Sequence, residues 1–344
     1  VYEFITPYLY AKYCYIKKQK KDVFKYLLQA FGSLKKLFAI QEGIWMLFVM
    51  RYYIGLLRRF AIEEGSETSY QEAIIAIRSL ISQVNLSKAP PLMSKKRGVV
   101  FCAKELCILN FKHNKYNDCN PILKDVNNYL ESSGLSTSQF FKADLVTLKY
   151  YAGRVALIDN SFTKAEKELD AAFKQCKADA FKNQRTIIKY LIPVKIYCGK
   201  FPSPSLIKKY KIYEYVDLAA AIFQGNLKEF KIQVDKFKRL WIKRNLYLFM
   251  EKLEIVLIRN LFKRVHKIAG GGPILDTELF KKALNCGFEK EQYDLEETEC
   301  ILGNLILQGF VKGYISHDKK KVVLSKTVPF PNFAKLLEDH TLSQ

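Results

Sequence analysis

The sequence predicts a mostly α-helical protein of packed helix pairs, with a small β-ribbon near its C-terminal end. Apolar residues recur at three-and-four spacing through about seven eighths of the chain, and strand-like alternation is confined to the rest. The 344 residues are 49% hydrophobic and 26% charged, a balance typical of globular proteins. At ~150 residues per domain, this length corresponds to about two domains that bury cores without disulfide or metal support.

Residues 1–139 form the first predicted domain, a set of N-terminal helical repeats. Amphipathic stretches predict helices over residues 22–40, 44–64, 69–85 and 99–111. Pro90 and Pro91 forbid helix continuation between the last two. Antiparallel pairing of successive helices is the simplest arrangement for such a segment.

Residues 140–272 form the second predicted domain, and its helices follow a tetratricopeptide-like pattern. Tyr150 is followed by the small Gly153, and after a polar turn Phe162 is followed by Ala165. Small residues at such positions let two helices approach closely. A looser helix-turn-helix pattern continues over residues 184–210, and the longest uninterrupted helix is predicted over 245–268.

Residues 273–326 are predicted to form a winged helix, followed by a C-terminal tail over 327–344. Helices are predicted over 274–286 and 294–308, and strands over 310–316 and 321–324. Two helices followed by a two-stranded ribbon are the C-terminal part of a winged helix. Asp294 and Glu297 have the spacing of a capping box, and Gly309 stands where a left-handed helix C-cap is expected.

Five sequence blocks in this order resemble the PCI-domain family. They are residues 150–154, 189–195, 251–254, 259–263 and 309–317. PCI domains consist of helical repeats that run through one long helix into a winged helix. Within the family, the blocks resemble PCI-domain-containing protein two and its fungal Thp counterparts over about residues 140–332, whereas residues 1–130 match more loosely.

The resemblance implies a non-catalytic subunit of the second TREX complex, which couples transcription to mRNA export at the nuclear pore. It also implies two protein partners: a large PCI scaffold of the GANP type and a very small, acidic, disordered protein shared with the proteasome lid. The expected location is the nucleus, including the nuclear pore, with the cytoplasm as a further location. The alternative is a subunit of a COP9-signalosome-like or proteasome-lid-like assembly that acts only in protein–protein assembly.

The chain is strongly basic, with 56 lysines and arginines against 34 acidic residues and a net charge of +22. A nucleic acid, an anionic membrane or an acidic protein partner could use this excess. Half of it lies between residues 195 and 268, where 17 basic and 6 acidic residues give +11. The longest apolar stretch, 44–50, is far shorter than the ~20 residues of a membrane span, so no membrane is predicted.

We predict a sequence-independent, salt-sensitive surface for RNA or DNA. Its residues are Lys236, Lys238, Arg239, Lys243, Arg244, Arg259, Lys263, Arg264, Lys267, Lys319, Lys320 and Lys321. Arg259, Lys263 and Lys267, spaced four apart, are expected to share one helix face. The alternative is a solvated face on a basic protein. Reading of a DNA groove is disfavoured, because the second winged-helix helix begins with carboxylates at 294–299 that repel phosphate.

Leu305, Phe310 and Tyr314 are the predicted partner-binding residues. Tyr314 and Trp241 are candidates for base stacking, and a core role is favoured for Trp241. The partner and nucleic-acid contacts are expected on separate faces. A third hypothesis is that the excess charge serves chiefly an acidic protein partner, which would then compete with nucleic acid.

No catalytic residue, metal or cofactor is predicted. The four histidines are far apart in the sequence, and no nucleophile motif accompanies them. Cys102, Cys107, His113 and Cys119 are the right types for zinc, but Cys102 and Cys107 would point about 140° apart on a helix and would not face one ion. The eight cysteines form no CxxC pair and most lie among apolar residues, which indicates reduced, intracellular cysteines.

Overall fold

The computed structural model describes residues 2–40, 44–85, 94–132 and 137–332, which contain sixteen α-helices and three β-strands. The chain forms two compact units. Unit 1 comprises residues up to 159 together with 168–178, and unit 2 comprises 160–167 together with residues from 179 onward. This confirms the predicted fold class: a helical-repeat protein that ends in a small antiparallel sheet.

The described part of unit 1 contains seven complete helices. They are α1 (Tyr2–Ile16), α2 (Lys20–Ile40), α3 (Met46–Glu64), α4 (Glu67–Asn85), α5 (Val99–Lys112), α6 (Cys119–Ser132) and α7 (Lys142–Ile158). Helix α5 packs on α3, α4, α6 and α7, which explains why it is apolar nearly all round. The predicted N-terminal helices agree with α2 to α5 within a few residues. Since α7 packs on α5 and α6, it belongs to unit 1.

The tetratricopeptide-like pair is α7 and α8 (Phe162–Gln175). A Cβ atom added to Gly153 would lie 2.5 Å from Cγ of Leu169, so no larger side chain fits without a shift of the helices. The predicted role of this small residue in close helix approach is therefore confirmed. Helix α8 contributes residues to both units.

Unit 2 continues with helices and ends in the winged helix. Its helices are α9 (Phe181–Tyr197), α10 (Pro204–Tyr210), α11 (Val216–Gln224), α12 (Leu227–Lys236), α13 (Lys238–Lys243), α14 (Tyr247–Ile268), α15 (Thr277–Leu284) and α16 (Leu295–Leu307). The strands are β1 (Ile274–Asp276), β2 (Gly313–Ser316) and β3 (Lys321–Leu324), in the antiparallel order β1-β3-β2. The 22-residue α14 confirms the predicted long helix.

Helix α11 lies unusually close to the middle of α14. Gly225 ends α11 with a φ of 69°, a conformation that favours glycine, and an added Cβ would lie 2.7 Å from Cα of Leu261. The side-chain amide of Asn260 donates to the carbonyl of Ile222 at 3.1 Å. Backbone proximity and this hydrogen bond together fix the end of α11 against α14.

The first strand corrects the prediction for the start of the winged helix. Residues 274–276 were expected to be helical but pair with β3 through Leu275 and Val322, both buried. The strand depends on a partner far along the chain, which local periodicity does not show. The capping box of Asp294 and Glu297 is confirmed, and Gly309 has the expected left-handed φ of 75°.

No described helix has both the length and the apolar content that a bilayer crossing needs.

Candidate functional site

Ten of the twelve predicted nucleic-acid-binding residues are exposed on unit 2. They are Lys236, Lys238, Arg239, Lys243, Lys263, Arg264, Lys267, Lys319, Lys320 and Lys321. Among the residues that the structure describes, none of these ten forms an ion pair with a carboxylate. Their positive charge is therefore not neutralised internally and is available to an external anion.

Arg259 does not belong to this exposed set, and the prediction of one cation row with Lys263 and Lys267 is wrong at this position. Arg259 is 5% exposed, and its Nη2 atom donates to the carbonyl oxygens of Phe330 at 3.2 Å and Pro331 at 2.7 Å. Burial lowers its pKa to about 10. Four-residue spacing drifts by about 40° per step around a helix, which turns Arg259 inward while Lys267 faces solvent.

Arg244 is also directed into the fold. Its Nη2 atom lies 2.7 Å from Oε1 of Glu214, and both side chains are largely buried. Its guanidinium also lies 5.8 Å from the ring centroid of Trp241. The Glu214 carboxylate therefore neutralises the Arg244 charge that was predicted to contact phosphate.

Lys263 lies where positive charge accumulates along α14. Its pKa is lowered by partial burial and by the nearby positive charges of Arg259 and Lys267. A phosphate at this position would offset that repulsion. Positive side chains are therefore concentrated along this part of α14.

The tip of the wing presents three exposed lysines, Lys319 to Lys321, on the turn between β2 and β3. Lys320 has a left-handed φ of 52°, and its amide donates to the carbonyl of His317. Nδ1 of His317 lies 2.6 Å from Oε2 of Glu299 on α16. This contact raises the pKa of His317 and ties the turn to α16.

The N-terminus of α16 carries acidic side chains. The Asp294 carboxylate accepts from the amide of Glu297 at 2.7 Å, and the Glu297 carboxylate accepts from the amide of Asp294 at 3.0 Å. These carboxylates satisfy the first amides of the helix and favour its dipole. They also leave this helix end unsuited to a phosphate backbone.

Two of the three predicted partner-binding residues lie in the core. Leu305 is 3% exposed and Phe310 is 4% exposed, so the prediction that they contact a partner directly is wrong. Tyr314 is 63% exposed. Val323 is the cross-strand partner of both Tyr314 and Ile274, so these three side chains form one apolar row across the outer sheet face. Ile274 was missed because its segment was assigned to a helix, although the Ile-Leu-Asp run has the alternation of a short strand.

Trp241 is fully buried, and its ring centroid lies 5.3 Å from that of Tyr215. The predicted core role is confirmed.

The cysteines considered for zinc do not form a metal-binding cluster. Cys102, Cys107 and Cys119 are buried, and burial raises the pKa of the Cys102 thiol. Across the described ranges, no group of three or more His, Cys, Asp or Glu side chains is arranged around a possible ion.

Comparison with known proteins places this geometry in a family context. The PCI domain family matches residues 234–326, which include α13, α14 and the winged helix. A PCI domain-containing protein 2 homolog from Dictyostelium discoideum is 34% identical over 324 residues, covering 90% of this chain and 74% of that protein.

Two further relatives extend the comparison. PCI domain-containing protein 2 from Xenopus laevis is 37% identical over 240 residues, covering 69% of this chain and 58% of that protein. PCI domain-containing protein C1105.07c from Schizosaccharomyces pombe is 33% identical over 244 residues, covering 68% of this chain and 54% of that protein. The aligned regions thus cover little more than half of these two relatives.

Proposed function

The chain belongs to the PCI domain-containing protein 2 family, and from this membership we propose that it is a non-catalytic scaffold subunit of a nuclear complex that couples transcription to mRNA export. Its partners in this proposal are a PCI scaffold of the GANP type, a small acidic disordered subunit, and RNA or DNA bound without sequence preference. The observation that carries the nucleic-acid part is the set of ten exposed cations on unit 2 with no carboxylate partner in the described chain.

Nucleic acid is favoured as a ligand because the exposed cations of unit 2 have no carboxylate partner in the described chain. Exposed lysines and arginines on α12–α14 and at the wing tip can meet phosphate oxygens, and the release of counterions from the nucleic acid then favours binding. The acidic start of α16 disfavours insertion of that helix into a major groove. Contacts to the phosphate backbone of the nucleic acid, made without contacts to its bases, give binding that is independent of sequence and weakens as the salt concentration rises.

Charge reversal on unit 2 tests this proposal. A variant with Glu at Lys263, Arg264, Lys319, Lys320 and Lys321 is expected to bind single-stranded RNA at least tenfold more weakly at low salt. The loss should shrink at high salt, where counterion release contributes less. Fluorescence anisotropy with a labelled oligonucleotide measures both affinities.

The matched control removes the same charge from unit 1. It carries Glu at the exposed Lys12, Lys17, Lys18, Lys20 and Lys25. Both variants change the net charge equally, so a difference between them reports position and not total charge. Equal affinity of the unit 2 variant and the wild type would overturn the nucleic-acid part of the proposal.

The apolar row of Ile274, Val323 and Tyr314 supports the proposed binding of a protein partner. An exposed aromatic and an exposed aliphatic side chain on one sheet face can be covered by the winged helix of another PCI protein. Affinity purification from nuclear extract, read by mass spectrometry, should recover a GANP-like protein and a very small acidic one, and Tyr314→Glu should reduce that recovery. Recovery of signalosome or proteasome-lid subunits instead would support the assembly-only alternative.

A further inference from the structure

Unit 2 contains an open cavity of about 520 Å³ beside α14. This volume lies within the ~300–1,000 Å³ range of small-molecule sites. Phe201, Phe223 and Phe330 contribute rings to its lining, and Lys263, Arg264 and Lys267 contribute positive charge. No aspartate or glutamate is among the described residues that line it.

Three segments that are distant in sequence build the walls. The end of α11, held against α14 by Gly225 and Asn260, brings Phe223 beside the cations. The segment after α9 brings Phe201, whose ring centroid lies 5.2 Å from that of Phe223. Arg259 holds the carbonyls of residues 330 and 331 against α14, and this fixes the third wall.

The two rings suit a flat ligand. Phe201 and Phe223 meet at an interplanar angle of 78°, so a planar group can stack on one ring and meet the edge of the other. Phe223 is 59% exposed, although it is a large apolar side chain beside a cavity. This exposure leaves ring surface for a ligand to cover.

The cavity places positively charged side chains beside aromatic rings. A nucleotide likewise joins a negatively charged phosphate to a flat base. Resting on the proposed nucleic-acid function, we propose that the cavity takes one unstacked base of single-stranded RNA or DNA, with the base against Phe201 and Phe223 and the flanking phosphates at Lys263 and Lys267. In an acidic peptide, the aromatic and acidic groups sit on separate residues, and the backbone between them needs its own hydrogen-bond partners. The observations therefore favour the nucleotide.

Base stacking on an aromatic side chain tolerates any base. The cavity accordingly gives a preference for single strands over duplexes without sequence specificity, which phosphate contacts alone would not give.

The test compares Phe223→Leu with Tyr213→Leu in the full chain. Tyr213 is also 59% exposed and does not line the cavity, so the two variants remove equally accessible aromatic rings from unit 2. The probes are a labelled oligouridine RNA and the same ribose-phosphate chain without bases. Equal melting temperatures of the two variants and the wild type establish that folding is intact.

We expect Phe223→Leu to weaken oligouridine binding by roughly five- to 150-fold, the effect of losing one base–aromatic stack, and to leave binding of the abasic chain unchanged. Tyr213→Leu should change neither affinity. Crosslinking of 4-thiouridine RNA to the peptide that contains Phe223 would be a second supporting result.

The failures are distinguishable. Wild-type binding of RNA with no effect of Phe223→Leu would overturn the base site and leave the phosphate surface intact. Equal wild-type affinity for oligouridine and the abasic chain would do the same. Absence of wild-type RNA binding would overturn both proposals, and binding of an acidic aromatic peptide in its place that is weakened by Phe223→Leu would assign the cavity to a protein partner.

Discussion

Unit 1 and unit 2 use their basic side chains in different ways. In unit 1, Arg51 and Lys104 contact the buried carboxylate of Asp144, at 2.8 and 2.9 Å, and Arg58 pairs with the buried Glu105. In unit 2, ten predicted site cations point to solvent without a carboxylate partner in the described chain. The same residue types therefore hold helices together in the buried network of unit 1 and remain available to an anion at these ten positions of unit 2.

Mutations of basic residues and their partners should therefore affect stability in the buried network of unit 1 and nucleic-acid binding at the exposed positions of unit 2. Removal of the buried Asp144 carboxylate in unit 1 takes away the partner that Arg51 and Lys104 share. Removal of exposed cations in unit 2 costs little stability, because exposed charges contribute little to it.

The largest stability effect is expected for Asp144→Ala in unit 1. Loss of this 2%-exposed carboxylate leaves Arg51 and Lys104 without their shared partner and should reduce the free energy of unfolding by about 3 kcal/mol. Urea unfolding measures it. Glu63→Ala is the matched control, since Glu63 forms an exposed pair with Arg59 and should cost ~0.5 kcal/mol or less. Similar losses in both variants would remove the contrast between buried and exposed pairs.

A second test concerns the close approach of α11 and α14 in unit 2. Gly225→Ala adds a methyl group at a left-handed φ and within 2.7 Å of the Leu261 backbone, and should cost about 2–3 kcal/mol. Gly65→Ala in unit 1 has the same strained φ, but its Cβ would meet nothing nearer than 3.9 Å, so about 1 kcal/mol is expected. Equal losses in urea unfolding would show that close packing at Gly225 contributes nothing.

Part of the fold can be predicted from the sequence alone. Helix positions, the capping box at Asp294 and the left-handed Gly309 follow from local chemistry, and all were predicted. Contacts between distant segments were not. Spacing along α14 does not reveal that Arg259 binds the carbonyls of Phe330 and Pro331.

The remaining misses have the same cause. The strand at residues 274–276 requires β3, and the burial of Leu305 and Phe310 requires the folded winged helix. The cavity is built from α14 and three further segments, and only α14 was singled out for its charge. Phe201, Phe223 and Phe330 are far apart in the sequence, and only folding brings them together around the cavity.

A smaller effect is expected in the pH dependence of unit 1. Burial opposes ionisation of Asp144, but Arg51 and Lys104 more than offset it, so its pKa lies below the ordinary value. The unfolded chain therefore binds a proton at this residue before the folded chain does, and the stabilisation is lost as the pH falls through the folded pKa. The slope of unfolding free energy against pH, measured below about pH 5, should be shallower in Asp144→Asn than in the wild type. Identical slopes would contradict this account of the network.

The smallest effect concerns the wing of unit 2. The Glu299 carboxylate raises the pKa of His317, so the stabilisation from this pair is present at low pH and is lost as the pH rises through the folded pKa. Glu299→Gln should lower the pKa of His317 toward its ordinary value, followed by NMR of the imidazole protons. His266, on α14, serves as an internal reference within the same spectrum. An unchanged His317 titration would mean that the turn is not held to α16 by this pair.

The dependence of RNA affinity on salt concentration shows whether the exposed cations of unit 2 contact phosphate. In a plot of log affinity against log salt, we expect the five-residue charge reversal in unit 2 to flatten the slope by about 0.7 for each lost phosphate contact. The five-residue reversal in unit 1 should retain the wild-type slope. Equal flattening by both variants would show that total charge, and not the exposed cations of unit 2, determines binding.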